Sequence, residues 1–229
     1  MEEFTIRPIA RIRSDFVEKF GIPRQSGLAP AAKARVVFEP AFRSAEAVRG
    51  LEEVSHIWLI WQFSEARREK WSPTVRPPRL GGNRRLGVFA TRSPFRPNSL
   101  GLSVVRLERV EPGTPEGPVL HVAGADLLDG TPIFDIKPYL RYADSIPEAA
   151  GGFADRAEER LLQVLLPQDP ALPEPERAAL TEILSHDPRP AYQEDPERVY
   201  GLRYGARNVR FVVRGEKLIV TGIENAEKD

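Results

Sequence analysis

Four arginines, two prolines and two asparagines crowd one short stretch of this chain, GGNRRLGVFATRSPFRPNSLG (residues 81–101), and no acid lies among them. A guanidinium group binds a carboxylate or phosphate through two parallel N–H donors, and a loop stiffened by proline loses little entropy on binding. Arg92, Arg96 and Asn98 are mounted around Pro94 and Pro97, with Arg84 and Arg85 just upstream, so anion binding is the chemistry these residues support. Arg96 has a second reading, as the partner of a structural carboxylate such as Asp126 or Asp135.

Two smaller groupings also carry chemistry. In IFDIKPY (residues 133–139), side chains two apart on a strand share a face, so Asp135 and Lys137 form either a plain ion pair or the acid and cation of one site. Tyr139, beyond the bend at Pro138, offers a flat ring to an unpaired base. In Pro23-Arg24-Gln25, the arginine can fork onto a carboxylate and the glutamine can both donate and accept hydrogen bonds; the alternative is a surface turn. Asp129 in LLDGTP reads as turn chemistry with Gly130.

Other chemistries find no support. There is no cysteine, hence no disulfide or thiolate metal site, and the three histidines (His56, His121, His186) are too scattered for a metal centre. No G-x-G-x-x-G lies between a strand and a helix, and neither a P-loop nor a G-x-S-x-G elbow is present. The net charge is zero, yet residues 76–109 hold eight arginines and one acid, whereas residues 144–200 hold thirteen acids and five arginines. Such a local basic patch can bind a polyanion on a neutral protein; two differently charged solvated faces is the plainer reading. The opening MEEFTIRPIARIR lacks the apolar core of a signal peptide and no apolar run could span a bilayer, so a cytoplasmic protein without membrane contact is expected.

The elements that must position these residues are mostly strands. Short runs rich in Val, Ile, Phe and Trp, bounded by Gly, Pro, Asn or Asp, predict strands over residues 3–13, 35–39, 56–63, 86–91, 99–110, 119–127 and 132–136. A short helix over residues 44–51 is expected, with Ser44 as N-cap. Seven strands with few helices suggest a mainly β fold, a single-sheet antiparallel barrel that leaves no free edge. Near residue 150 a small polar linker divides this barrel (1–150) from a smaller α+β domain (151–229). There residues 158–166 form a strand or short helix. Residues 174–185 form an amphipathic helix with Ala178, Leu180, Ile183 and Leu184 inward, and residues 209–213 and 217–221 a hairpin. Trp58, Trp61 and Trp71 read as core or interface.

Four blocks, EKFGIPRQSGL (18–28), AVRGLEEVSHIW (47–58), WSPTVRPPRLGGNRRLGVFATRSPFRPNSLG (71–101) and DLLDGTPIFDIKPYLRYADS (126–145), together with HDPRPAY (186–192), resemble the TrmO, or TsaA-like, family. The resemblance covers nearly the whole chain. It implies a non-Rossmann β-barrel methyltransferase that uses S-adenosylmethionine to methylate N6 of threonylcarbamoyladenosine at tRNA position 37, next to the anticodon. It further implies a homodimer with the cofactor near the subunit interface and no metal.

By that resemblance Arg24, Gln25 and Arg92 line the methyl donor, with Phe63 (or plain core) and Ser64 at the end of one strand. Leu102, Ala123, Gly124, Ala125 and Asp126 border its adenosyl group. Arg84, Arg85, Arg96, Asn98 and Tyr139 face the anticodon loop, joined by Arg189 and Tyr192 from the second domain. The reaction expected is direct displacement of methyl from sulfonium by a weakly nucleophilic nitrogen. It needs alignment and a proton acceptor, Asp126 or Asp135, with Lys137 beside the latter. Two rivals stand beside it, a non-catalytic RNA-binding barrel and a methyltransferase for a small molecule.

Overall fold

The computed structural model describes residues 2–66, 71–77, 84–155, 161–168, 171–190, 193 and 195–226. Strands β1 (Ala10–Ser14), β2 (Lys33–Phe38), β3 (His56–Gln62), β6 (Leu100–Thr114), β7 (Gly117–Ala123) and β8 (Pro132–Pro138) close into a barrel in the order β1-β2-β7-β6-β3-β8. Every neighbouring pair is antiparallel. Alternation is what drives closure. On β3 and β6 every second residue (Ile57, Leu59, Trp61; Gly101, Ser103, Val105, Leu107) is buried, and their neighbours point outward. Ile12, Val36, Leu120 and Ile133 complete the barrel core from the other strands. Strands β4 (Thr74–Val75) and β5 (Leu86–Gly87) pair as a separate short ribbon beside the barrel.

A second sheet, β10 (Tyr200–Tyr204), β11 (Arg207–Arg214), β12 (Lys217–Asn225) and β9 (Gln163–Leu165), runs antiparallel except for the β12–β9 pair. It packs with helix α2 (Glu174–Ser185), which starts with Pro175 and two acids in its first turn, as the backbone geometry and dipole there favour. Its core is not self-contained. Phe16, Phe20, Ile22, Ala29 and Ala32, all on the β1–β2 connection, pack among Leu180, Leu202, Phe211 and Leu218. Gly21 has φ of +89°, and a Cβ there would lie 2.2 Å from Leu202 Cδ1, so this close approach requires glycine.

Several local expectations are corrected. Residues 86–91 form only the two-residue β5, because Val88–Ala90 curls into a 3-10 turn over the buried Val88. The helix expected at 44–51 is two 3-10 turns, Ala45–Val48 and Leu51–Glu53, split at Gly50 (φ 89°); Ser44 occupies the N-cap position without a side-chain cap bond. The first strand begins at Ala10. Ala179, not Ala178, is the buried alanine of α2, and β10 had no counterpart in the sequence reading. Of the tryptophans, Trp61 is core, while Trp71 is 51% exposed. A short helix α1 (Arg141–Asp144) is tied to β3, since Trp58 Nε1 donates to Asp144 Oδ2 at 2.9 Å.

Candidate active site

The β1–β2 connection crosses the end of β7 and is pinned there by two main-chain bonds, Gly27 N to Gly124 O (2.8 Å) and Gly124 N to Ala32 O (3.0 Å). Gly124 makes this possible: its φ is +74°, and a Cβ would meet the Gly27 backbone at 3.2 Å. Pinning brings Gln25 to the arginine loop, where Arg92 Nη1 donates to Gln25 Oε1 and Gln25 Nε2 donates to the Arg24 carbonyl. Ala123 ends β7, Ala125 is buried, and Asp126 follows with its carboxyl turned inward.

Asp126 closes a chain of hydrogen bonds through the barrel end. Trp61 Nε1 donates to Ser103 Oγ (3.0 Å), and Ser103 Oγ donates to Asp126 Oδ1 (2.6 Å). Burial pushes the Asp126 carboxyl above its ordinary pKa. The Ser103 hydroxyl, main-chain bonds including one from Ser26, and the charge of Arg92 pull the other way. The result is an inward-facing carboxyl that accepts the Ser103 hydroxyl on Oδ1 and lies within the field of a guanidinium. It can accept hydrogen bonds from hydroxyl or amino groups or take up a proton. Phe63 caps the same end: its ring lies 4.2 Å from that of Trp61 and its N–H donates to Ser99 O at 2.9 Å. Ser64 is exposed in the turn that follows.

Trp61 is seated on a glycine. A Cβ at Gly101 would lie 2.4 Å from the indole Cε2, so Gly101→Ala must displace the ring. The variant is expected to lose about 1–3 kcal/mol of stability in urea melts. Its tryptophan emission should shift to the red, because Trp61 leaves Ser103 and the core.

The other expected residues divide. Asp135 and Lys137 form an exposed ion pair (3.0 Å) on the outer barrel face. The register aligns Leu102, Ile60 and Asp135 across β6, β3 and β8, with Leu102 55% exposed. Asp126 is bonded to the inward-facing Ser103, so the barrel wall separates it from Asp135 and Lys137. Tyr139 sits half-buried on that outer face against Trp58, ring centroids 6.0 Å apart. Arg96 does not pair with Asp126 or Asp135; its Nη1 donates to Thr91 O at 2.6 Å and braces the loop. Arg84, Arg85 and Asn98 are exposed, and Arg85 Nη1 reaches Thr74 Oγ1 at 3.4 Å. Arg189 is held by both oxygens of Asp187 at 2.8 Å and lies over Tyr200; Tyr192 lies outside the described residues. His186 Nε2 contacts Leu28 O at 2.9 Å, which brings this loop against the Gln25 segment.

Trp61 is core as expected, but its part in the site, and those of Ser103, Ser26 and Gly101, were not anticipated. A serine in the apolar-facing register of β6 was the available signal, because a buried hydroxyl must find a partner. Among the described residues, no three His, Cys, Asp or Glu side chains are grouped to hold a metal, and no helix is long and apolar enough to cross a membrane.

An antiparallel barrel with an inward carboxylate, a braced arginine loop and a glycine-pinned polar loop at one end defines a barrel-built, non-Rossmann enzyme scaffold with an anion site. The family described as the tRNA-methyltransferase O N-terminal domain matches residues 11–145, and the TrmO C-terminal domain matches residues 152–226. The chain belongs to the tRNA-methyltransferase O family. It is 40% identical over 238 residues, 98% of this chain and 99% of the relative, to an Escherichia coli protein named tRNA (adenine(37)-N6)-methyltransferase. It is 38% identical over 156 residues, 68% of this chain and 78% of the relative, to a Pyrococcus abyssi protein named as a probable S-adenosyl-L-methionine-binding protein. A crystal structure of TrmO from Pseudomonas aeruginosa superposes with a TM-score of 0.79 at 37% identity, covering 98% of this chain and 99% of that one.

Proposed function

We propose that this protein transfers methyl from S-adenosylmethionine to N6 of threonylcarbamoyladenosine at position 37 of tRNA, in the cytoplasm and as a homodimer. The observation that carries the reading is the Trp61–Ser103–Asp126 chain ending beside Gln25 and Arg92. The donor set fits the methyl donor, because it offers an acceptor for ribose hydroxyls or an ammonium and a guanidinium for a carboxylate. When bound, S-adenosylmethionine supplies an electrophilic methyl group on a sulfonium. Asp126 orients the nucleoside end, Arg92 and Arg24 hold the carboxylate end, and Gln25 fixes Arg92. Ala123, Gly124 and Ala125 border the adenosyl group with Phe63, whose ring helps to exclude water; Leu102, whose side chain points to the outer face, contributes its backbone or, like Asp135, serves the site of a second subunit. Alignment lowers the barrier, and a carboxylate takes the amine proton. The raised pKa of Asp126 suits it to that role. Asp135 and Lys137, across the wall, contribute if a second subunit presents its own outer face to this site. Arg84, Arg85, Asn98, Tyr139 and Arg189 face the RNA in this reading, and the division between catalytic and accessory parts falls near residue 150.

Titration calorimetry with S-adenosylhomocysteine should give saturable binding near one per subunit. Mass spectrometry of digested tRNA should show one added methyl on threonylcarbamoyladenosine and none when that position holds plain adenosine. Absence of donor binding refutes the enzyme; methylation of plain adenosine refutes the substrate.

A further inference from the structure

Trp71 and Phe89 lie outside both cores. Phe89 is 70% exposed and Trp71 51% exposed, with ring centroids 6.2 Å apart and planes inclined by 31°. The backbone next to them is braced. Val88 N donates to Pro73 O at 2.9 Å, Ser72 Oγ donates to Thr74 O at 2.8 Å, and Thr74–Val75 pairs with Leu86–Gly87. The buried Val88 anchors the 3-10 turn that turns Phe89 outward. Arg96, fixed by Thr91 O, sets its guanidinium carbon 5.8 Å above the Phe89 ring. Residues 71–77 and 84–98 carry Arg76, Arg84, Arg85, Arg92 and Arg96 and no acid.

We infer that Trp71 and Phe89 form a stacking platform for an unpaired base of the RNA substrate, whose flanking phosphates the neighbouring arginines hold. This rests on the RNA-methyltransferase reading above. A pair of aromatic faces carried on segments whose described residues hold five arginines and no acid matches a polyanion that carries flat rings. A second copy of this chain is a poorer match, since a two-fold contact on this patch sets the arginines against their own copies. Phe89 and Trp71 add sequence-tolerant affinity, whereas the arginines supply the salt-dependent part.

The test measures binding of a fluorescent anticodon stem-loop by anisotropy, at several salt concentrations, for Trp71→Ala, Phe89→Ala and the pair. Each is expected to weaken binding about five- to a hundredfold and to raise KM for the RNA. The salt slope, kcat at saturating RNA and S-adenosylhomocysteine affinity should stay unchanged. Trp71→Phe and Phe89→Tyr should restore binding, whereas Arg84→Ala should flatten the salt slope. Unchanged RNA affinity in the double variant overturns the platform while leaving the methyltransferase reading intact. Wild-type protein that binds the donor but no RNA overturns both the platform and the RNA substrate. A double variant that sediments as a smaller species with RNA affinity intact assigns the patch to a second copy and overturns the proposal.

Discussion

Asp126→Asn is expected to lower kcat/KM for methyl transfer about a hundredfold or more, without lowering the melting temperature at neutral pH. The two halves of this expectation have one cause. The carboxyl is turned into the barrel end, where Ser103 and Ser26 bond to it but burial raises its pKa above the ordinary carboxylate value. A raised folded pKa means that the folded chain binds the proton more tightly than the unfolded chain. Its contribution to stability therefore falls as pH rises from the ordinary value through the raised one, so at neutral pH the ionised Asp126 is a cost to folding. Asparagine keeps the shape and the acceptor oxygen for Ser103 while removing the charge. The same titration sets the activity profile: methyl transfer should fall as pH drops through the raised pKa, because the protonated acid neither accepts a proton nor balances Arg92. Melting curves and pH–rate profiles of wild type and variant check both. A variant that is less stable but fully active would make Asp126 a structural acid.

The sequence made some of this arrangement legible. Helix α2 was readable at both ends because Pro175, the first-turn acids and the Leu180, Ile183 and Leu184 spacing all obey local rules. The arginine loop was readable as a loop because two prolines fix it. What strand alternation cannot supply is which side of a wall faces which neighbour. Asp135 and Lys137 share a face as expected, but the irregular register opposite Ile60 and Trp61 decides that the face is the outer one. Arg96 has a carbonyl partner rather than a carboxylate, because main-chain oxygens gathered by the turn at Val88–Ala90 are invisible in residue types. The segment carrying Gln25 reads as part of the barrel. Its apolar residues Phe16, Phe20, Ile22, Ala29 and Ala32 follow neither a two-residue nor a 3.6-residue period, so their burial in the second core is a purely tertiary fact.

That shared core leads to the second large effect. Phe211→Ala should cost about 3–5 kcal/mol, a substantial part of the roughly 5–15 kcal/mol that holds a typical domain folded. Phe211 is fully buried on β11, opposite Tyr200 on β10 and Val220 on β12. Its ring stacks on Tyr200 at 5.5 Å and on Phe20 at 6.4 Å. Phe20 lies five residues before Gln25, on the connection that Gly27 and Gly124 pin to the barrel. Removing the Phe211 ring leaves a cavity beneath that connection and frees Phe20 to move, so the Gln25–Arg92 contact loses one of its two supports. The variant should therefore bind S-adenosylhomocysteine several-fold more weakly under conditions where it is still fully folded, although Phe211 belongs to the second core. A polar substitution on the solvent face of the same strand, Arg210→Gln, should change neither quantity by much. Urea melts followed by circular dichroism give the stability loss, and calorimetry well below the transition gives the affinity. Full affinity alongside the loss of stability would mean that Gly27 and Gly124 alone hold the loop, and that the second core serves folding without tuning the site.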